Sequence, residues 1–157
     1  MTEKKTLDIA QVQKLRDSLK GHHLEAIITL ALVTGMRRDE LLSLKWRNVD
    51  LKKGDLQVQN TKTRSSDRMV HIPEDGVALL KEHRQYQMEE QARAGLTWAN
   101  LDLVFPNRTG EFLPPYQLVQ EFHKVLEQAE LPRMSFHDLR LNVGQTQYEQ
   151  KKRTEAQ

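Results

Sequence analysis

Cysteine is absent from this chain of 157 residues. That excludes disulfides, thiol nucleophiles and cysteine-ligated zinc sites. No apolar run approaches the length needed to cross a bilayer, and the opening MTEKKTLDIA has no apolar stretch of the signal-peptide kind. A cytoplasmic protein without membrane contact is therefore expected. The six histidines form no HExxH or other compact ligand pattern; His22 and His23 side by side are a weak metal signal. Charge of one sign is also lacking overall, because the formal net charge is only +2. Bulk electrostatics thus does not announce a polyanionic partner.

What is present supports one globular domain. Apolar residues make up 38% and charged residues 29% of a chain long enough for a hydrophobic core. The charge is unevenly placed. From Thr34 to His71 nine lysines and arginines face five acids, a local net charge of +4 that leaves −2 for the remainder. Such a stretch suits a polyanion, although a solvated basic face would look the same.

Periodicity supplies the elements. A helix is expected from Asp8 to about Lys20, with Val12, Leu15 and Leu19 on one face and Gly21 as its stop. LEAIITLALVTG is apolar almost all round, as a central buried helix would be, and RRDELLSLKW resumes a helical pattern through Leu41, Leu42 and Leu44. LQVQ and MVHI alternate as half-buried strands do, and the cationic NTKTRSSDR joins them. Pro73 opens a long helix to Gly95 with Val77, Leu80 and Tyr86 inward. Leu103–Phe105 reads as a short strand. PPYQLVQEFHKVLEQAEL carries a stripe of Leu118, Phe122, Val125, Leu126 and Ala129. Ser135, with Asp138 three residues on, forms a variant capping box at the start of another helix. The fold class is mainly α with a small antiparallel sheet. Its expected core includes Ile27, Ile28, Leu30, Leu32, Leu41, Leu44, Val58, Leu80, Phe105, Leu118, Phe122 and Val125.

Four stretches, TGMRRDELLSLKW, NTKTRSSDRMVHIP, LVFPNRTGEFLPPYQLVQEFHKVLEQAEL and SFHDLR, resemble in this order the catalytic domain of the tyrosine recombinases, the phage-integrase family. The resemblance spans Thr6 to Arg140. It implies that Arg37 is the first catalytic arginine, with Glu40 bracing the site one helical turn on. Lys62 corresponds to the hairpin lysine that protonates the leaving 5′-hydroxyl. His137 and Arg140 form the His-x-x-Arg pair, and Arg38, Arg64 and Arg68 are further candidates for DNA contact. By the same resemblance the partner is double-stranded DNA, no metal or other cofactor is used, and members assemble as tetramers. The reaction is strand exchange through a 3′-phosphotyrosine.

These residue types suit the chemistry on their own terms. Phosphodiester exchange builds negative charge on the non-bridging oxygens, and two guanidinium forks can hold both. A charge clamp of this kind replaces the metal ions that many nucleases need. A lysine on the hairpin can reach the leaving oxygen as a general acid, and a histidine titrating near neutrality suits proton transfer or a hydrogen bond to phosphate. Arg37 is placed at a helix start and His137 in the first turn of another helix, so that backbone N–H groups would face the same anion. Plainer readings exist for each residue. Arg37 and Lys62 can be solvated cations, Glu40 an i,i+3 partner of Arg37, and His137 a capping residue.

The family pattern fails after Arg140. LNVGQTQYEQKKRTEAQ has only Val143, Tyr148 and Ala156 as apolar side chains beyond Asn142, and no amphipathic stripe can form. Residues 1–6 read as a linker remnant, 7–140 as a partial catalytic domain incomplete at its C-terminus, and 141–157 as a divergent polar tail that frays. Tyr148 stands eight residues past Arg140, about 12 Å along a helix. The family places its nucleophile on a later, separate helix, so no nucleophile is assigned in this chain and it is expected not to cleave unaided. Two other readings are a non-enzymatic DNA-binding remnant and a helical protein-interaction module.

Overall fold

The computed structural model describes residues 6–58 and 68–142, the side chains of 140–142 excepted. Five α-helices occur in it: α1 (Ile9–Leu19), α2 (Glu25–Thr34), α3 (Arg38–Leu42), α4 (Glu74–Ala94) and α5 (Pro115–Gln128). Three strands, β1 (Val49–Asp50), β2 (Asp55–Val58) and β3 (Arg68–His71), lie between α3 and α4. Short 3-10 helices span Trp46–Asn48, Gly95–Thr97 and His137–Asn142. The chain divides into two compact units, Met1–Arg37 with Tyr116–Gln157 and Arg38–Pro115. No helix among the described residues is long and apolar enough to cross a membrane.

The first unit is helical. Asp8 starts α1 with a capping box: its carboxylate accepts from the Gln11 backbone N–H at 2.7 Å, and Gln11 Oε1 accepts from the Asp8 N–H at 3.0 Å. Val12, Leu15 and Leu19 are buried, as their spacing predicts. Every residue of α2 from Ala26 to Val33 is buried, so this helix forms the centre of the unit. Around it α1 and the 3-10 helix His137–Asn142 are packed. The whole predicted stripe of α5 is inside, and Phe122 meets Phe136 edge to face with centroids 5.6 Å apart. Burying a side chain of this size contributes roughly 1.5–3 kcal/mol.

The second unit is built on the sheet in the order β1-β2-β3, antiparallel throughout. Leu56 pairs with Val70 and Val58 with Arg68, so both β2 leucine-face residues, Leu56 and Val58, point inward. The two strands expected from alternation are there, and β1 adds a third, too short to register as a pattern. RRDELLSLKW is less helical than expected. The α-helix stops at Leu42, and the chain turns so that the Leu44 carbonyl accepts from Val104 N–H and Trp46 N–H donates to Asp102 O, both at 2.9 Å. These bonds hold Leu103–Phe105 as an isolated bridge rather than a strand, because only one residue pair is in register.

Tyr86 is exposed on α4, contrary to its expected inward place. The inward position is taken by Gln87, whose amide accepts from Trp46 Nε1 at 2.6 Å and donates to the Leu103 carbonyl at 3.0 Å. A polar side chain wins there because the adjoining segment has backbone carbonyls to satisfy. His83 serves the same segment, donating from Nε2 to the Val104 carbonyl at 2.6 Å. All twelve residues expected in the core are buried.

Candidate phosphate-binding site

Within the first unit, the Thr-Gly-Met stretch before Arg37 acquires a structural reason. Thr34 donates its hydroxyl to the Leu30 carbonyl at 2.6 Å and accepts from the Met36 N–H at 3.2 Å. Gly35 takes the left-handed conformation with φ 70° and ends α2, its N–H bonded to Ala31 O. Met36 is buried, which anchors the turn. Arg37 follows as an exposed cation on a fixed backbone.

The His-x-x-Arg stretch is anchored with equal care. Ser135 and Asp138 cap each other, Asp138 N–H donating to Ser135 Oγ at 3.2 Å and Ser135 N–H to the Asp138 carboxylate at 3.0 Å. Phe136 and Leu139 are buried on either side of exposed His137. His123 on α5 donates from Nε2 to the Met134 carbonyl at 3.1 Å, which leaves Nδ1 to accept from Arg133 at 3.2 Å. The helix that follows is of the 3-10 type, in which residues three apart eclipse, so backbone positions 137 and 140 fall on one face. This helix packs on α2, the same helix that ends in the arginine-bearing turn. Two motifs separated by about a hundred residues are thus both attached to one buried helix.

His137 opens a helix as expected, whereas Arg37 stands one residue before the helix expected to start with it. The α-helix begins at Arg38, one residue after Arg37, and is only five residues long. The other helix is 3-10, and the Asp138 N–H in its first turn is already taken by Ser135.

In the second unit, Glu40 on α3 and Arg68 at the start of β3 form a two-pronged ion pair, with N···O distances of 2.8 and 3.1 Å. The Glu40 side chain is 8% exposed. The hydrogen bonds to Glu40 hold the Arg68 guanidinium above its usual value, against a smaller opposing effect of burial. Sequence reading gave Arg68 to DNA and left its pairing with Glu40 unseen; a distance of 28 residues carries no local signal for such a contact. Arg38 lies in an exposed pair with neighbouring Asp39 at 3.2 Å. Lys62, Arg64 and Tyr148 fall outside the described residues. No group of three or more His, Cys, Asp or Glu side chains among the described residues could hold a metal ion.

The sequence pattern of the phage integrase family matches residues 4–152. The chain belongs to that family. A tyrosine recombinase XerC-like protein of Caldanaerobacter subterraneus subsp. tengcongensis is 34% identical over 164 residues, covering 88% of this chain and 42% of the relative. Among solved structures, the XerA recombinase superposes with a TM-score of 0.76 at 21% identity, over 87% of this chain and 48% of its own. The XerH site-specific recombinase bound to a palindromic difH substrate gives 0.71 at 22% identity, over 92% and 42%. These likenesses establish the integrase fold, mainly helical with one small antiparallel sheet. The chain spans less than half the length of each of these three proteins.

Proposed function

We propose that this chain is the DNA-binding catalytic domain of a site-specific tyrosine recombinase, serving DNA integration or recombination. The observation that carries this reading is the attachment of both the Arg37 turn and the His-x-x-Arg helix to α2. Arg37 and Arg140 hold the non-bridging oxygens of the scissile phosphate, where their planar forks offset the charge of the pentacovalent transition state. His137 donates a hydrogen bond to the same phosphate. Lys62 delivers a proton to the 5′-oxygen as the P–O5′ bond breaks. Glu40 braces the site from α3.

In an intact recombinase a tyrosine oxygen attacks phosphorus, a 3′-phosphotyrosine forms, and the freed 5′-hydroxyl of a second strand later reverses the step. That tyrosine follows the His-x-x-Arg pair in the family. Tyr86 and Tyr116 of this chain precede the pair, on α4 and α5. Tyr148 stands eight residues past Arg140, and the nucleophile's role is not assigned to it. The chain is accordingly a phosphate clamp without a nucleophile: it binds double-stranded DNA in the cytoplasm and does not cut it unaided. Tetramers on paired DNA belong to the family, and assembly of this kind on DNA is the expected setting for the chain.

A suicide DNA substrate, nicked so that cleavage traps the enzyme, tests the proposal. The purified chain is expected to bind without forming a covalent adduct. An adduct of protein and DNA would overturn the assignment of no nucleophile, and substitution of Tyr148→Phe would show whether that residue supplied it.

A further inference from the structure

We propose that His123 is a positioning residue for the DNA-phosphate site, holding from α5 the backbone that carries His137 rather than touching DNA. The proposal rests on the phosphate-site reading above and adds a residue to it. His123 is half-buried, and each ring nitrogen has a partner in the segment before the His-x-x-Arg helix. Nε2 donates to the Met134 carbonyl at 3.1 Å, and Nδ1 accepts from the Arg133 guanidinium at 3.2 Å. Together these bonds select one tautomer, with the proton on Nε2, and fix the plane of the ring. With both nitrogens engaged, the ring offers no donor to a phosphate.

The held segment leaves α5 by a tight reversal. Glu130 takes φ 57°, a left-handed conformation that is costly for a residue with a β-carbon. The Leu131 N–H closes the turn on the Leu126 carbonyl at 2.9 Å. The chain then runs back along α5, bringing Met134 to His123 and Phe136 to Phe122. Two consecutive residues of α5 thus grip the chain on either side of Ser135, whose hydroxyl caps the His137 helix. Phe122 supplies an apolar contact that tolerates rotation. The bond from His123 is directional, and it satisfies the carbonyl of a buried residue. Exposed His137 follows directly after Phe136, so the set of the Met134 peptide is passed to its ring over a short span of backbone.

Two variants of the full chain separate positioning from contact and from mere stability. His123→Phe keeps a ring and loses both bonds, whereas His123→Gln keeps an N–H able to reach the Met134 carbonyl. Fluorescence anisotropy with a mixed-sequence DNA duplex over a range of salt gives affinity, corrected for the folded fraction from thermal melts. NMR of histidine-labelled protein follows the His137 ring. If His123 positions, His123→Phe weakens binding roughly tenfold, the effect of losing one directional hydrogen bond, with the slope of log K against log salt unchanged. It also shifts the His137 ring signals in the DNA-free chain, and His123→Gln restores both properties to near the wild type. Unmoved His137 signals in His123→Phe overturn the proposal, whatever happens to the melting temperature. So does a failure of His123→Gln to rescue, or a slope lowered by about one, which would make His123 a phosphate contact. Should His123→Phe not fold, the ring nitrogen shifts of the wild type decide: at mildly alkaline pH His123 carries its proton on Nε2, and the Nδ1–H tautomer overturns the proposal. Absence of wild-type DNA binding at low salt would sink the DNA reading itself, a result that needs no variant and is separate from the response of the His137 ring.

Discussion

His83 is a histidine held where its charged form is costly. Burial lowers its pKa, and the bond to the Val104 carbonyl offsets this only in part. Its ring also lies 5.1 Å from that of Phe105 and 6.2 Å from that of Trp46. Because the folded value lies below the ordinary 6.5, the unfolded chain binds more protons in mildly acidic solution. The stability contributed by neutral His83 is thus complete above about pH 6.5 and is lost as the pH falls through the lowered folded value. Urea unfolding at pH 7 and pH 5 should show stability falling with acid, and His83→Gln should flatten that slope. Gln87 belongs to the same network and shows why it escaped periodicity: its place is dictated by carbonyls at Leu103 and Val104, far along the chain. A hydrophobic pattern counts apolar positions and is blind to a buried amide with partners.

Single elements differ in how much tertiary support they need. Helix α5 has a continuous apolar stripe, and its burial follows from that stripe alone. Phe122 is fully buried in it and packs on Phe136 beside His137. Phe122→Ala should cost roughly 3–5 kcal/mol in urea unfolding, whereas Gln120→Ala on the exposed side should stay within about 0.5 kcal/mol. The loop from Leu103 to Phe112 is the opposite case. Asn107 Oδ1 accepts from the backbone N–H groups of Thr109 and Glu111, each at 2.9 Å. Gly110 has φ +83°, and a β-carbon there would lie 2.6 Å from the Ala99 carbonyl oxygen and 2.7 Å from the Trp98 ring. Gly110→Ala should therefore lower stability by about 2–4 kcal/mol, from backbone strain and overpacking together. The expected strand at Leu103–Phe105 became an isolated bridge because this loop pulls the chain away after one pair.

At the scale of the molecule, a net charge of +2 gives no general pull toward DNA, so the proposed binding depends on placed cations. Affinity for duplex DNA should fall steeply between about 50 and 200 mM salt, as contacts to phosphates release counterions. Arg37→Ala and Arg140→Ala should each reduce the log–log slope by about one. A slope unaffected by either would remove both arginines from the interface. The residues that carry this expectation were legible in the chain before any coordinates. Gly35 announces a helix end; Ser135 and Asp138 announce a helix start; and the apolar stripes locate the core. Each of these is a local matter, settled by hydrogen bonds and burial within a few residues, and local physics is what a linear sequence records. The tertiary structure alone decided that α2 carries both the Arg37 turn and the His-x-x-Arg helix, that the latter is 3-10, and that Arg68 pairs with Glu40. Those facts depend on groups distant in sequence competing for the same buried partner. Only the folded backbone determines which of them meet.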